Sequence, residues 1–307
     1  MLYDLIIVGG GPAGSAAGVY AARKRLKSML VTGAFGGQSV VSPEIQNWIG
    51  SVTISGDTLA ANLRDHVKAY AGDILAMHEG EIAMGVAKKE GVITITTDKG
   101  TYDAKALLIA TGSHRRKLET PGADKFEHRG VTYCASCDGT VFSDMDVAVI
   151  GGGNAAFETA AQLLAYCKSV TLFNRSNEFR ADPVTVEKLC CNSKMRALKN
   201  VDLLEVKGDA MVSSLVYKDK TSGETHDLPV QGVFVEIGQF PNTEFAKGVV
   251  DMTPDDQVII DPRTQKTNTA GIWAAGDCTD VLYHQNNIAA GDAVRALEDI
   301  YQTLHSR

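Results

Sequence analysis

The chain has 307 residues, more than the roughly 100–200 of one typical domain, so two domains are expected. Hydrophobic residues make up 44% and charged residues 22%, which excludes a disordered chain, and a net charge of -7 argues against a nucleic-acid partner. Glycine is in excess, with 30 Gly against 8 Pro, so the places where glycines cluster are informative.

The N-terminus predicts a cytoplasmic protein without a membrane partner. Residues 1–8 are apolar, but they lack a basic segment, contain Asp4 and run directly into Gly9. No stretch approaches the ~20 apolar residues that cross a bilayer. Six cysteines in such a chain are better interpreted as thiols or redox groups than as a disulfide framework.

The first glycine cluster spans residues 9–14 and follows a short β-type run at residues 5–8. Small apolar residues after Gly14 favour a helix packed closely on a sheet, and residues 28–32 resemble a second strand. This strand–turn–helix–strand order is the context in which a dinucleotide-binding turn occurs.

A CxxC pair, Cys134 and Cys137, is the most specific local feature. Two cysteines at this spacing can close a small reversible disulfide with an accessible thiolate, and Asp138 can act as acid or base on a sulfur. Half of a zinc site is the alternative, but it needs a second ligand pair, which the adjacent Cys190 and Cys191 do not provide. Unreactive buried thiols are a further alternative, better suited to Cys167.

A second glycine turn, Gly151-Gly152-Gly153, lies between a predicted strand at 147–150 and a helix running to about residue 165. A third strand ends in Gly276-Asp277 and leads to a predicted C-terminal helix over 287–304. An ordinary amphipathic helix is the favoured interpretation of this segment, and Tyr301 or His305 covering a bound group of a second subunit is the alternative.

In a dinucleotide-binding turn the first glycine allows a tight bend, the second lets a phosphate approach the backbone, and the third lets the helix pack closely on the strand. Two such units predict an α/β protein with two Rossmann-like, three-layer ββα-type dinucleotide-binding domains. The second is inserted in the first: residues 1–113 plus 240–307 form the predicted FAD-binding domain. Residues 114–239 form a predicted NAD(P)H-binding-like domain that carries the CxxC pair.

With these motifs in this order, the sequence resembles the low-molecular-weight thioredoxin reductases, two-domain FAD and pyridine-nucleotide disulfide oxidoreductases. The resemblance covers essentially the whole chain and implies a homodimer. FAD contacts are implied for Gly9, Gly11, Pro12, Ala13, Gly14, Thr32, Gly36, Gly37, Gln38, Asn47, Ala110, Thr111, Gly112, Gly276, Asp277, His284, Gln285 and Asn286. NAD(P)H contacts are implied for Gly151, Gly153, Asn154, Ala155, Ala156, Arg175 and Arg180.

The same features separate the chain from related families. The larger glutathione reductase type has a CxxxxC near its first FAD motif, and thioredoxin-reductase-like ferredoxin–NADP reductases lack the CxxC. Flavin subunits of the alkyl hydroperoxide reductase type carry an extra N-terminal domain, which is not expected here because the FAD motif begins by residue 9.

The nucleotide signature departs from the NADPH-dependent pattern HRRxxxR. Arg175 and Arg180 are kept, but Asn174 and Ser176 replace the histidine and the second arginine. The arginine clamp on a 2′-phosphate is therefore incomplete, and no acidic residue is placed to hold the ribose of NADH. The donor stays open between NADPH and ferredoxin or another donor, and Arg175 and Arg180 can also be solvated surface charges.

The resemblance implies a flavoenzyme that passes electrons through FAD to the Cys134–Cys137 disulfide and on to a thioredoxin-like protein, with Asp138 managing the proton. Cys134, Cys137 and Asp138 are the candidate catalytic residues, and rotation of the inserted domain would present each site in turn. An NAD(P)H:flavin or quinone-type reductase and a non-catalytic flavin redox sensor are the alternatives.

Overall fold

A computed structural model describes residues 1–42 and 44–305 of the chain. Its helices and strands follow the alternation that the sequence predicts, with parallel strands joined by helices. The α-helices are α1 Pro12–Arg23, α2 Gly56–Ala71, α3 Ala135–Asp138, α4 Asn154–Leu164, α5 Pro183–Cys190 and α6 Asn286–His305.

Short strands make up most of the remaining regular structure. They are β1 Leu2–Gly10, β2 Ser28–Phe35, β3 Leu75–Glu79, β4 Ala83–Lys89, β5 Val92–Thr97, β6 Thr101–Ile109, β7 Ser113–Arg115, β8 Val131–Thr132, β9 Asp146–Ile150, β10 Ser169–Phe173, β11 Met195–Leu198, β12 Val201–Gly208, β13 Val212–Asp219, β14 Thr225–Pro229, β15 Gly232–Val235, β16 Gln239–Pro241 and β17 Ile272–Ala274.

The chain divides into two compact units. The first comprises Met1–Pro43, Trp48–His114 and Phe240–Arg307, and the second comprises Glu44–Asn47 and Arg115–Gln239. These bounds differ from the predicted domains at residue 114 and at residues 44–47. Strands β7 and β16, which pair with each other, contain two of the places where the chain passes from one unit to the other, at residues 114–115 and 239–240.

The first unit is built on a seven-stranded sheet in the order β3-β2-β1-β6-β5-β4, with β17 also paired to β6. Strands β3, β2, β1, β6 and β17 are parallel, whereas β4 and β5 form an antiparallel extension. Apolar side chains of β1 alternate between two cores: Leu5 and Ile7 pack on the side of α1 and α6, and Ile6 and Val8 pack on the other. The central strand is therefore buried on both faces.

The second unit repeats the design on a smaller scale. Its five-stranded sheet is parallel throughout, in the order β11-β10-β9-β15-β8. An antiparallel sheet β12-β13-β14 is inserted in the chain between β11 and β15. Val147 and Val149 of β9 pack beneath α4, while Ala148 and Ile150 face the opposite core. Parallel sheets with alternating helices confirm the predicted α/β class.

Candidate redox and dinucleotide sites

The first unit contains a cavity of about 520 Å³ at the carboxyl ends of its parallel strands. The first glycine turn, the end of β2, the segment after β6 and the start of α6 line it. Helix α1 begins here with Gly11 as its N-cap and Pro12 in its first turn, and no side chain caps it. An uncapped helix start directs unsatisfied N–H groups and positive dipole potential at this cavity, which suits a phosphate.

The glycines of this turn are explained by different physical constraints. At Gly9, with φ +122°, a Cβ would lie 2.1 Å from the Ala110 carbonyl oxygen, and at Gly14 it would lie 1.9 Å from the Gly9 carbonyl oxygen. At Gly11 the nearest atom would be 3.8 Å away and φ is −74°, a value open to any residue. Packing therefore explains Gly9 and Gly14, whereas the space beside Gly11 contains no protein atom that would exclude a side chain and is open to a ligand.

Most of the residues predicted to contact FAD lie around this one cavity. Those that line it are Gly9, Gly11, Pro12, Ala13, Thr32, Gly37, Gln38, Ala110, Thr111, Gly112, Asp277 and Asn286. Those absent from its lining are Gly14, Gly36, Asn47, Gly276, His284 and Gln285. Gly36 and Gly276 are required by close packing against Ala60 and Ala289, and Asn47 belongs to the second unit. Contact of each residue with FAD stays a prediction.

Glu81 is a cavity residue that no sequence motif identifies. Glu81 is buried, lines the cavity, and accepts hydrogen bonds from Thr97 and from His78, whose Nδ1 lies 2.8 Å from Glu81 Oε2. Burial alone would raise the pKa of Glu81, but these hydrogen bonds outweigh burial and hold the pKa below its ordinary value. Its backbone N–H also donates to the Thr32 carbonyl, which positions it beside the end of β2.

In the second unit, four neighbouring strands end at one edge of the parallel sheet, and each is followed by a residue of chemical interest. Asn174 follows β10, Gly151 follows β9, Glu236 follows β15, and Cys134 lies two residues after β8. Because the strand order is β10-β9-β15-β8, these residues follow one another along the edge in that order. Ligands of open parallel sheets bind at this carboxyl edge.

The second glycine turn also contains one glycine that packing does not explain. Gly151 has φ +149° and a Cβ there would lie 2.3 Å from the Glu236 carbonyl oxygen, whereas a Cβ at Gly153 would have no atom within 4 Å. Gly153 is the N-cap of α4, and no side chain caps that helix. The side chain of Asn154, the first residue of α4, accepts a hydrogen bond at Oδ1 from the Asp182 backbone N–H. This turn therefore keeps the features of a pyrophosphate site.

Asn174 occupies the position at which the NADPH signature has histidine, and its side chain binds backbone carbonyls of the second unit. It is buried, and its Nδ2 donates to the carbonyls of Ser176 and Glu178 at 2.9 Å and 2.8 Å, which fixes the loop after β10. Arg175 and Arg180 are exposed, and among the described residues neither forms an ion pair. The edge thus offers two exposed positive charges and a neutral amide, not a rigid clamp.

The CxxC pair is joined in the structure as a Cys134–Cys137 disulfide, with a Cα–Cα distance of 5.3 Å. Cys134 is the N-cap of the short helix α3, and its Sγ accepts from the Cys137 N–H at 3.2 Å. A hydrogen bond to sulfur favours its charged form, so this contact lowers the cost of a thiolate at Cys134 once the bond is reduced.

Asp138 lies beside the disulfide and is bound by a residue that the motif does not reveal. Its Oδ2 accepts a hydrogen bond from Thr132, a buried residue of β8 whose Oγ1 also accepts from the Cys134 N–H at 3.4 Å. Burial raises the pKa of Asp138, while Thr132, His128 and Arg115 oppose the rise. A carboxyl with a raised pKa can exchange protons nearer to neutral pH.

Substituting Asp138 and Thr132 tests this arrangement through pH. Asp138→Asn is expected to slow disulfide reduction by about a hundredfold and to remove one limb of the pH profile. Thr132→Val removes a hydrogen bond that stabilises the carboxylate, so it is expected to raise the pKa of Asp138 and move the same limb to higher pH. The measurement is kcat/KM against pH; a limb that Thr132→Val leaves in place would contradict the assignment.

The other cysteines are arranged differently. Cys167 and Cys278 are buried, and burial raises the pKa of each to about 11, which makes them poor nucleophiles. Cys190 and Cys191 are exposed on the second unit. Within the described residues, no group of three or more His, Cys, Asp and Glu side chains is arranged to hold a metal ion.

Comparison with known proteins places this geometry in a family. The family model "Pyridine nucleotide-disulphide oxidoreductase" matches residues 3–294. The chain is similar to the thioredoxin reductase of Streptococcus pyogenes MGAS5005, with a TM-score of 0.92, 31% identity, and coverage of 100% of this chain and 99% of that one. It belongs to the pyridine nucleotide-disulphide oxidoreductases, an FAD-dependent family, and is thioredoxin-reductase-like in fold.

Two curated relatives extend beyond the matched region. The chain is 40% identical over 304 residues to an alkyl hydroperoxide reductase component of Xanthomonas campestris pv. phaseoli, covering 98% of this chain and 57% of the relative. It is 36% identical over 295 residues to a protein of Bacillus subtilis (strain 168) named NADH dehydrogenase, covering 96% and 57%. The chain thus spans 57% of the length of these relatives.

Across residues 1–42 and 44–305, no helix combines the length and the apolar character that a bilayer crossing requires.

Proposed function

We propose that this chain transfers electrons from a reduced nicotinamide dinucleotide to the Cys134–Cys137 disulfide and from there to the disulfide of a thioredoxin-like protein. The observation that carries the proposal is the shared edge of the second unit, where a pyrophosphate-binding turn and a redox disulfide follow strands of one parallel sheet. FAD, when bound in the first unit, supplies a two-electron carrier between the dinucleotide and the disulfide.

The cavity residues of the first unit suit this cofactor. Gly11 leaves its backbone open to a pyrophosphate, and the uncapped start of α1 offers N–H donors to it. Gln38 is held by a 2.9 Å hydrogen bond to Ser113, and Asn286 Oδ1 accepts from Ser39 at 2.9 Å, so both polar side chains are fixed where they line the cavity. We assign residues 1–113 and 240–307 to FAD binding on this basis.

Between the two nicotinamide dinucleotides we favour NADH over NADPH, because NADH carries no 2′-phosphate and therefore does not need the arginine clamp that this chain lacks. Gly153 keeps room for a pyrophosphate, which a chain that had abandoned dinucleotides would not need. The neutral Asn174, buried and bonded to backbone carbonyls, cannot anchor a 2′-phosphate. The relative named NADH dehydrogenase supports the same choice.

On the acceptor side, the chain's own residues carry out thiol–disulfide exchange. The Cys134 thiolate, stabilised by the Cys137 N–H, attacks one sulfur of the partner's disulfide and forms a mixed disulfide. Cys137 then attacks Cys134, which restores the internal disulfide and releases the partner as a dithiol. Asp138 holds or returns the proton that each thiol loses. Similarity to solved thioredoxin reductases supports a thioredoxin-like partner.

An anaerobic titration tests the donor. The purified holoprotein is mixed in turn with NADH, NADPH and reduced ferredoxin, and the flavin absorbance is followed. NADH is expected to bleach the flavin stoichiometrically and fastest. Rapid bleaching by ferredoxin alone would contradict a dinucleotide donor.

A single substitution tests why NADPH is the weaker donor. Ser176 is exposed and stands where the signature has its second arginine, so Ser176→Arg is expected to raise kcat/KM for NADPH about tenfold and to leave NADH within about twofold. Ser222→Arg, an equally exposed change on the turn between β13 and β14, is the control. An equal rise for both nucleotides would show that charge alone, and not a 2′-phosphate contact, is responsible.

A further inference from the structure

An ion pair stands at the carboxyl edge of the second unit, between the pyrophosphate-type turn and the redox disulfide. Glu236 directly follows β15, and Arg115 lies with its Nη1 3.6 Å from Glu236 Oε2. Neither the CxxC motif nor the glycine turn includes these residues. Both keep some solvent access, with side-chain exposures of 14% for Glu236 and 29% for Arg115.

One carboxylate oxygen of Glu236 accepts a hydrogen bond from within the unit, and the other takes part only in the ion pair with Arg115. Oε1 accepts a 2.8 Å hydrogen bond from Thr159 of α4, which fixes the carboxylate beside the start of that helix. The 3.6 Å between Oε2 and Arg115 is an ion-pair distance but too long for a hydrogen bond. An acceptor and a donor therefore stand side by side, each able to bind a further polar group.

The sheet order indicates which end of a dinucleotide reaches this pair. Its pyrophosphate would lie at the turn after β9, and the adenosine half lies toward the strand that follows the turn's helix, which here is β10. The other half then extends over β15, on the opposite side of β9. Glu236 is the residue at that strand end, and the backbone of Gly151 directly adjoins it.

We propose that Glu236 and Arg115 bind the carboxamide of the nicotinamide ring and so orient the ring of the donor, an inference that rests on the proposed function. A carboxamide carries an N–H donor and a carbonyl acceptor on one carbon. Its N–H would donate to Glu236 Oε2, and its carbonyl would accept from Arg115. Burial raises the pKa of Glu236 and Arg115 opposes that rise, so a further hydrogen-bond donor stabilises the charged form.

Binding measurements on the oxidised holoprotein separate this role from a structural one. ADP-ribose lacks the nicotinamide ring, and the 3-acetylpyridine analogue of NAD⁺ keeps the ring carbonyl but lacks the amide N–H. Glu236→Leu is expected to raise the Kd for NAD⁺ about tenfold or more, with ADP-ribose within about twofold. Wild type should prefer NAD⁺ to the acetylpyridine analogue, and Glu236→Leu should abolish that preference.

Two further variants keep the test decisive. Glu236→Gln retains an acceptor oxygen and is expected to fall between wild type and Glu236→Leu, while Glu224→Leu, at an exposed position of the same unit, should change neither Kd. Equal weakening of NAD⁺ and ADP-ribose by both Glu236 variants would overturn the carboxamide role while leaving the donor intact. A wild type that binds neither ligand would overturn the proposed function as well.

Discussion

Replacing both Cys134 and Cys137 by serine is expected to abolish reduction of a thioredoxin-like disulfide, by on the order of 10³-fold or more. Serine keeps the shape of each side chain at a slightly smaller volume, but it supplies neither the thiolate nor the exchangeable disulfide. The pair lies in the second unit and lines no part of the cavity of the first, so FAD content is expected to stay at the wild-type level. Insulin reduction in the presence of a thioredoxin-like protein measures the loss.

Controls on the same chain make this result specific. Cys190→Ser with Cys191→Ser removes two exposed thiols outside the site and should leave activity unchanged. Reduction of a quinone or of free flavin by NADH should survive loss of the CxxC pair, because neither reaction needs a disulfide. Full thioredoxin-dependent activity in the double serine variant would mean that the disulfide is incidental and would favour the quinone-type reductase.

The glycines of the first turn lead to the second large effect. Gly11→Ala is expected to fold normally but to purify without FAD, because its backbone conformation suits alanine and the added methyl would meet no protein atom closer than 3.8 Å. The methyl would instead occupy the space through which the pyrophosphate approaches the backbone. Flavin absorbance per protein and the thermal midpoint of the apoprotein are the measurements.

Gly14→Ala is the matched comparison, one turn of helix further on. Its methyl would lie 1.9 Å from the Gly9 carbonyl oxygen, so α1 would have to separate from β1. Gly14→Ala is therefore expected to lose both FAD and fold stability, whereas Gly11→Ala should lose only FAD. Equal destabilisation of the two apoproteins would show that Gly11 serves packing and not a ligand.

The parts of the fold that could be predicted are those that leave a local trace in the sequence. Gly9 and Gly151 adopt positive φ, and a Cβ at Gly9, Gly14 or Gly151 would lie within 2.3 Å of a backbone oxygen, so only glycine is accommodated at these positions. The CxxC pair is likewise a local feature, because its two cysteines are only three positions apart in the sequence and can form a disulfide without help from distant strands. Such features need no knowledge of the neighbouring strands.

Residues brought to a site by strand order could not be predicted in this way. Glu81 lines the cavity because β3 pairs with β2, and Glu236 stands near the second turn because β15 pairs with β9. Thr132 supports Asp138 from a strand of only two residues, too short for a periodic pattern. The family resemblance implies an FAD contact for Asn47, which is grouped with the second unit, and that contact stays a prediction.

The most direct test of the electron route is to count thiols after reduction by the donor. The oxidised holoprotein is treated anaerobically with one equivalent of NADH, alkylated, digested and analysed by mass spectrometry. We expect Cys134 and Cys137 to gain one alkyl group each, with no gain at these residues in an FAD-free Gly11→Ala sample. A holoprotein whose flavin is reduced by excess NADH while the Cys134–Cys137 disulfide stays intact would contradict the route proposed for this chain.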